Sequence, residues 1–376
     1  MASSAPHNPP FRAEHVGSFL RPPHLLAARE EFKAGQMNAA RLRALEDEAI
    51  AKVIAYQEEL GLQSITDGEY RREVFYADFY ARGLGGIAMS HDPEIDQTFF
   101  IDTSGKKIPI PQPVVNGRMR WHGPIHVDDF NFIRAHTKRM PKITIPSPTI
   151  IHLRASRKNI SREVYPEIEL FWADIVDAFQ KELKALAAAG CSYVQMDETT
   201  LCALSDPAGW ERLRRRGEDA HKLLYEVYPA IINRALEGRP SQIHLALHLC
   251  RGNNLSSWTS EGGYDPFAEM LFNRLNVDSY FLEYDTPRAG SFEPLRQVPK
   301  HKTVVLGLVS TKFPELESKD DLKRRIEEAG RYIDLDQCAL SPQCGFASTI
   351  PGNLITPEQQ SAKLRLVIET AREVWG

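Results

Sequence analysis

The sequence predicts an α/β fold, a single (β/α)8 TIM barrel with one elaborated loop region. Three observations lead there. Helix starts and strand exits alternate along the chain, eight apolar segments end on polar or thiol residues, and 376 residues suit one such barrel with an extension. The expected organisation is a flexible lead-in over 1–10 and a barrel over 11–376.

The first strand exit is read at HVGSF, ending near Ser18. A helix follows from Asn38 through Leu60, because Leu42, Leu45, Ala49, Ile50, Val53 and Ile54 recur at helical spacing and Gly61 suits its exit. SITDGE then forms a short strand and polar loop, with its exit near Asp67. The region Tyr80 to Pro141 mixes prolines, glycines and aromatics and reads as a barrel extension or substrate-covering loop.

After the exit near Ser147, a helix is expected from Tyr165 with Pro166 in its first turn and Gly190 at its end, followed by the strand YVQMDE and an exit at Asp197. Further exits are placed near Cys250, Asp285, Ser310 and Cys338. Asp265-Pro266, Ser318 with Asp321, and Thr356-Pro357 with Gln359 mark the later helix starts.

Composition narrows the function. Forty-six basic against 50 acidic residues leave a formal charge of -4, so no general attraction to nucleic acid is expected. MASSAPHNPP lacks the apolar stretch of a secretory signal and no later segment suits a membrane span, so a cytoplasmic location is expected, with no membrane partner. Five cysteines are too sparse and too odd in number for a disulfide framework.

The sharpest local feature is IHLALHLCRGNN, in which His248 and Cys250 are two apart at a strand end and so share one side. Glu283 in SYFLEYD and Cys344 in SPQCGF stand at later exits, and the four together offer a donor set suited to tetrahedral Zn2+. Cys338 competes with Cys344 on composition. Packing roles for the cysteines and the histidine are the alternative.

Glu198 beside Asp197 is expected to cap the next turn, since successive strand residues face opposite sides. Arg71 and Arg72 are read first as paired surface groups, and Trp121, Phe132 and Trp172 as packing residues.

Taken in order, HVGSF, ITDGEYRR, YVQMDET, HLC, FLEYD, GLVSTK and SPQCGF resemble the catalytic C-terminal barrel of cobalamin-independent methionine synthase, and especially short bacterial proteins related to it. The resemblance covers most of 11–374. It implies a zinc-dependent methyl transfer to the thiol of homocysteine, with His248, Cys250, Glu283 and Cys344 as metal ligands. It also implies that Ser18 and Glu69 bind the substrate amino acid and that Asp197 binds its ammonium or manages a proton.

On that reading Glu69 and Asp197 hold the ammonium, Ser18 and nearby backbone amides hold the carboxylate, and Glu283 is the exchangeable ligand. Methyl-folate, methylcobalamin or a corrinoid protein are the donors considered, because the chain lacks the large barrel that precedes this one in the full-length enzyme. The barrel is also similar to epoxyalkane-coenzyme M transferases, for which a sulfonate site near Arg71, Arg72 or Arg118 would be expected. A structural or regulatory zinc- and thiol-binding protein is the non-enzymatic alternative.

Overall fold

The computed structural model describes residues 8–90, 99–101, 105–109 and 111–376. The expected lead-in therefore falls largely outside the described residues, as do 91–98, 102–104 and 110 of the extension. The strands are β1 (Ser64–Ile65), β2 (Ile87–Ser90), β3 (Phe99–Ile101), β4 (Lys107–Pro109), β5 (Gln112–Val115), β6 (Met140–Pro141), β7 (Ile143–Pro146), β8 (Tyr193–Glu198), β9 (His244–Leu249), β10 (Ser279–Glu283), β11 (Thr303–Val309) and β12 (Cys338–Pro342).

Strands β7 to β12 form one parallel sheet in sequence order, and β1 pairs in parallel with β6, which leads into β7. The ring closes through the segment at Ala13, which bridges Leu340 of β12 in parallel. This is the (β/α)8 architecture, with helices such as Ala39–Leu60, Ile168–Ala188 and Pro357–Trp375 between or after the strands.

The first of the eight segments is not a regular strand, and the reason is visible in its bonding. Lys142 Nζ donates to His15 O, Gln195 Nε2 to Val16 O at 2.6 Å and Thr66 Oγ1 to Gly17 O at 2.6 Å. Side chains thus take carbonyls that a neighbouring strand would otherwise use.

Inside the ring, Val16, Tyr193, Ala246, Phe281, Val305 and Ala339 form one apolar layer. Toward the strand starts, Lys142 pairs with Glu14 at 3.2 Å with both side chains fully buried, and Tyr193 and Ser64 also donate to Glu14. Outside the ring a much larger apolar cluster joins sheet and helices. Among the described residues no helix is long and apolar enough to cross a membrane.

Local signals explain the helix boundaries. Asn38 accepts from Arg41 N and Gly61 takes φ 101° at the exit of Ala39–Leu60. Thr356 and Gln359 form a full capping box on the terminal helix, whereas at Ser318 only the serine's bond from Asp321 N is made. The helix expected from Tyr165 starts later, at Ile168, because Glu167 is extended, leaving Pro166 outside the first turn.

Asp265-Pro266 opens a 3₁₀ turn, followed by a π turn at Met270–Arg274. Cys338 opens β12 instead of ending it: CALSP pairs with β11 from Cys338 opposite Val304, placing the exit at the SPQC segment.

Among its described residues the extension contains two antiparallel pairs, β2 with β5 and β3 with β4, and then the helix Val127–His136. Met89 of β2 and Pro111, which precedes β5, both line the cavity at the barrel mouth.

Candidate metal centre and active site

Strand register assembles the site. His248 lies opposite Asp197 on β8 and opposite Phe281 on β10, and Phe281 belongs to the interior layer. Side chains two residues on repeat that inward direction, so Asp197, His248, Cys250 and Glu283 all belong to the inner face or its immediate exit.

After β9 the chain turns sharply, with Gly252 at φ 99° and its N–H donating to Cys250 Sγ at 3.1 Å. Cys344 is placed by the loop after β12, where Gln343 N donates to Val309 O and Gln343 Oε1 accepts from Thr311 N. The candidate donor atoms of His248, Cys250 and Cys344 all lie within 4.8 Å of one another.

The two sulfurs are 3.5 Å apart and both cysteines are free thiols. The hydrogen bond from Cys344, together with His248, pulls Cys250 well below the usual thiol range, while the same sulfur contact and burial push Cys344 up. Neither ring nitrogen of His248 has a partner at hydrogen-bonding geometry, although the ring is buried and the nearby Cys250 sulfur draws its pKa upward against the effect of burial.

A buried imidazole with both nitrogens unsatisfied, beside two thiols, fits a metal and suits the nitrogen and sulfur preference of zinc. Cys338 does not join this group: its thiol is buried at the opposite end of β12 and donates to Asp334 O at 3.6 Å.

Glu283 stands beside the three-residue group without belonging to it. One carboxylate oxygen accepts from Arg288 at 2.7 Å and the other from Arg251 N at 3.0 Å. Burial alone would raise its pKa, but Lys312, Arg251 and Arg288 outweigh that and hold it down to about 2.

Ser18, Glu69 and Asp197 line the same cavity, of about 160 Å³, as His248, Cys250 and Cys344. Ser18 Oγ accepts from Ala347 N at 3.2 Å, and Ser18 O from Phe346 N at 3.0 Å, tying the first barrel segment to the loop that carries Cys344. Glu69 accepts from Thr144 Oγ1 at 2.8 Å and sits at φ 61°, a left-handed conformation that costs a non-glycine residue roughly 1 kcal/mol or more. Donation from its own N–H to Asp67 and from Arg21 to its carbonyl secures it there. Asp197 accepts from Gln195 Nε2 at 2.7 Å, and burial, with Glu69 adding to it, pushes its pKa up to about 7.

The neighbouring polar groups named in the sequence serve the fold. Glu198 accepts from Thr200 N and Leu201 N, capping the helix after β8. Arg71 pairs with Asp47 at 2.6 Å and Asp129 at 2.5 Å, Arg118 pairs with Asp174 at 2.6 Å, and Arg72 donates to Thr144 O. None of these three arginines lines the cavity, and neither does Trp121, Phe132 or Trp172.

Several lining residues went unnoticed in the sequence. Phe75, Tyr76, Asn253 and Asn254 are also part of the lining, and Arg154 adds a buried cation. Arg154 alone had a visible signal, as the one charged residue in the run PTIIHLRA.

An uncharacterized Bacillus subtilis protein, YxjG, is 41% identical over 98% of this chain and 95% of its own length. A solved Listeria monocytogenes protein assigned as a vitamin-B12-independent methionine synthase shares 32% identity with a TM-score of 0.73, covering 98% of each chain. The 5-methyltetrahydropteroyltriglutamate–homocysteine methyltransferase of Bacillus licheniformis is 24% identical over 96% of this chain, which spans 42% of that enzyme. The model of the cobalamin-independent synthase catalytic domain matches residues 11–372, and the chain belongs to that family.

Proposed function

We propose that this protein is a zinc-dependent S-methyltransferase that methylates the thiol of homocysteine to form methionine. The observation that carries the reading is the convergence of His248, Cys250 and Cys344 within 4.8 Å in a cavity that also holds Glu69 and Asp197. The names of the Listeria and B. licheniformis relatives support the same reaction class.

In this reading His248, Cys250 and Cys344 hold the metal, and Glu283 is the fourth, exchangeable ligand. Bound there, zinc supplies a Lewis-acidic centre that favours the thiolate form of a thiol brought to it. Glu283 already has Arg288 as a cationic partner at 2.7 Å, so the carboxylate stays compensated when it is not a ligand.

Glu69 and Asp197 receive the substrate ammonium, and Ser18 with nearby backbone amides receives its carboxylate. Asp197, with Oδ1 engaged by Gln195, has Oδ2 to accept a substrate N–H or hold a proton near neutral pH. Phe75, Tyr76, Met89 and Pro111 give the cavity an apolar part of its lining. A sulfonate site at Arg71, Arg72 or Arg118 finds no support, because these three are engaged within the protein and do not line the cavity. A purely structural zinc would not need the cavity that the three ligands line.

The test is methionine formation by zinc-loaded protein given homocysteine with methyl-folate, methylcobalamin or a methylated corrinoid protein in separate reactions. Methionine from any one, lost on chelation and regained with zinc, is expected. No methionine from any donor, with 2-mercaptoethanesulfonate alkylated by an epoxide instead, would replace the reading.

A further inference from the structure

The cavity contains a buried cation, Arg154, that has no carboxylate partner among the described residues. Arg154 stands in the last turn of the helix Ile150–Ala155 and lines the cavity together with His248 and Cys250. It is only 7% exposed, yet Nε and Nη1 are buried without a hydrogen-bond partner. The charged or titratable groups that it feels are Tyr76, Arg216 and Cys250, with no carboxylate among them, and among the described residues it forms no ion pair.

Other buried arginines are treated differently. Arg21 donates to four backbone carbonyls, those of Glu69, Arg72, Ala347 and Thr349. Arg251 donates to Gly262 O, Glu283 O and Tyr264 Oη. Arg71 has two aspartates. A buried cation without a carboxylate partner is costly, so in a ligand cavity it suits an anionic group of the bound molecule.

We propose that Arg154 binds an oxyanion, a carboxylate or sulfonate, of the small molecule that occupies this cavity. The planar guanidinium matches such a group with two parallel N–H bonds, which an ammonium would not reproduce. The assignment rests on the methyltransferase reading only for the identity of the molecule, which is then the methyl donor or the amino-acid acceptor. Arg154 becomes a specificity-determining residue of the cavity, whose lining also includes the apolar Phe75 and Tyr76.

Zinc-loaded wild type, Arg154→Met and Arg154→Lys are compared by melting temperature without ligand, and by calorimetric titration with homocysteine, 5-methyltetrahydrofolate and 2-mercaptoethanesulfonate. Arg154→Met is expected to keep its zinc and to melt no lower than wild type, since it removes an uncompensated charge. At least one of the three probes should bind about tenfold or more weakly to it. Arg154→Lys should recover only part of that loss.

The probe that weakens identifies the source of the oxyanion. A lower melting temperature for ligand-free Arg154→Met overturns the proposal, because the guanidinium would then be satisfied within the fold. Affinities within about twofold of wild type for all three probes also overturn it, as does a wild type that binds none of them. If the wild type makes no methionine but binds the sulfonate through Arg154, the methyltransferase reading falls and the oxyanion site stands.

Discussion

Gly345→Ala tests how tightly the loop that carries Cys344 is fitted against Ser18. A Cβ built at Gly345 lies 2.0 Å from Ser18 Oγ and 3.2 Å from Ser18 Cβ. Ordinary contact needs roughly 3.5 Å, so one side must move by more than about 1 Å.

The loop resists: Gly345 O accepts from Asn253 Nδ2 at 2.7 Å and Thr311 Oγ1 at 3.1 Å, and Asn253 is itself held by Lys312. Ser18 can yield only by giving up the bond from Ala347 N. Overpacking of this kind destabilises by about 1–3 kcal/mol. Because Cys344 is the preceding residue, the shift should also weaken metal binding and reduce kcat/KM by about 100-fold, the scale of a 1 Å misplacement.

Melting temperature, zinc content and methyl-transfer rate of the purified variant measure the three effects. Adding Ser18→Gly to Gly345→Ala removes the clash and should restore melting temperature and zinc, while leaving the homocysteine KM raised. A single Gly345→Ala variant with wild-type stability, zinc and turnover would refute the packing argument.

Lys142→Met leaves Glu14 buried without its cation and should destabilise the protein by about 3–5 kcal/mol in thermal or urea unfolding. An unchanged transition would show that Ser64 and Tyr193 suffice. Burial, with Arg157 and Arg216 adding to it, pushes His152 down to about 3, so the native state refuses a proton that the unfolded chain accepts near 6.5. Stability is therefore lost as pH falls from about 6.5 toward 3, by roughly 3 kcal/mol at pH 4.5 from this group alone. His152→Gln should flatten the difference in urea unfolding between pH 7.5 and 4.5 by about that amount, and an identical pH slope would count against it. Cys338→Ala should retain full zinc content by elemental analysis; loss of zinc from folded protein would bring Cys338 into the ligand set.

What was legible in the sequence was local or repeated. Asn38, Gly61, Thr356 and Gln359 announce helix ends because each bonds within a few residues. His248 and Cys250 were visible because strand alternation fixes their common side. Glu69 and Asp197 were placed by motif resemblance, and the cavity contains both.

The illegible parts depend on partners far along the chain. The first barrel segment loses its strand character to Lys142, Thr66 and Gln195, between 49 and 179 residues away. The engagement of Arg118 by Asp174 spans 56 residues, and that of Arg71 by Asp129 spans 58. Cys338 and Cys344 both flank one short strand, and only its pairing with β11 shows which end faces the cavity. Arg154 stands out as a charge in an apolar run, but nothing local shows that no described carboxylate pairs with it.

X-ray absorption at the zinc edge of the loaded protein, before and after homocysteine is added, tests the central claim most directly. The account predicts two sulfur scatterers with nitrogen and oxygen from His248 and Glu283, and a third sulfur with loss of the oxygen when homocysteine binds. A zinc shell without sulfur, or one with two sulfurs that homocysteine leaves unchanged, would contradict it.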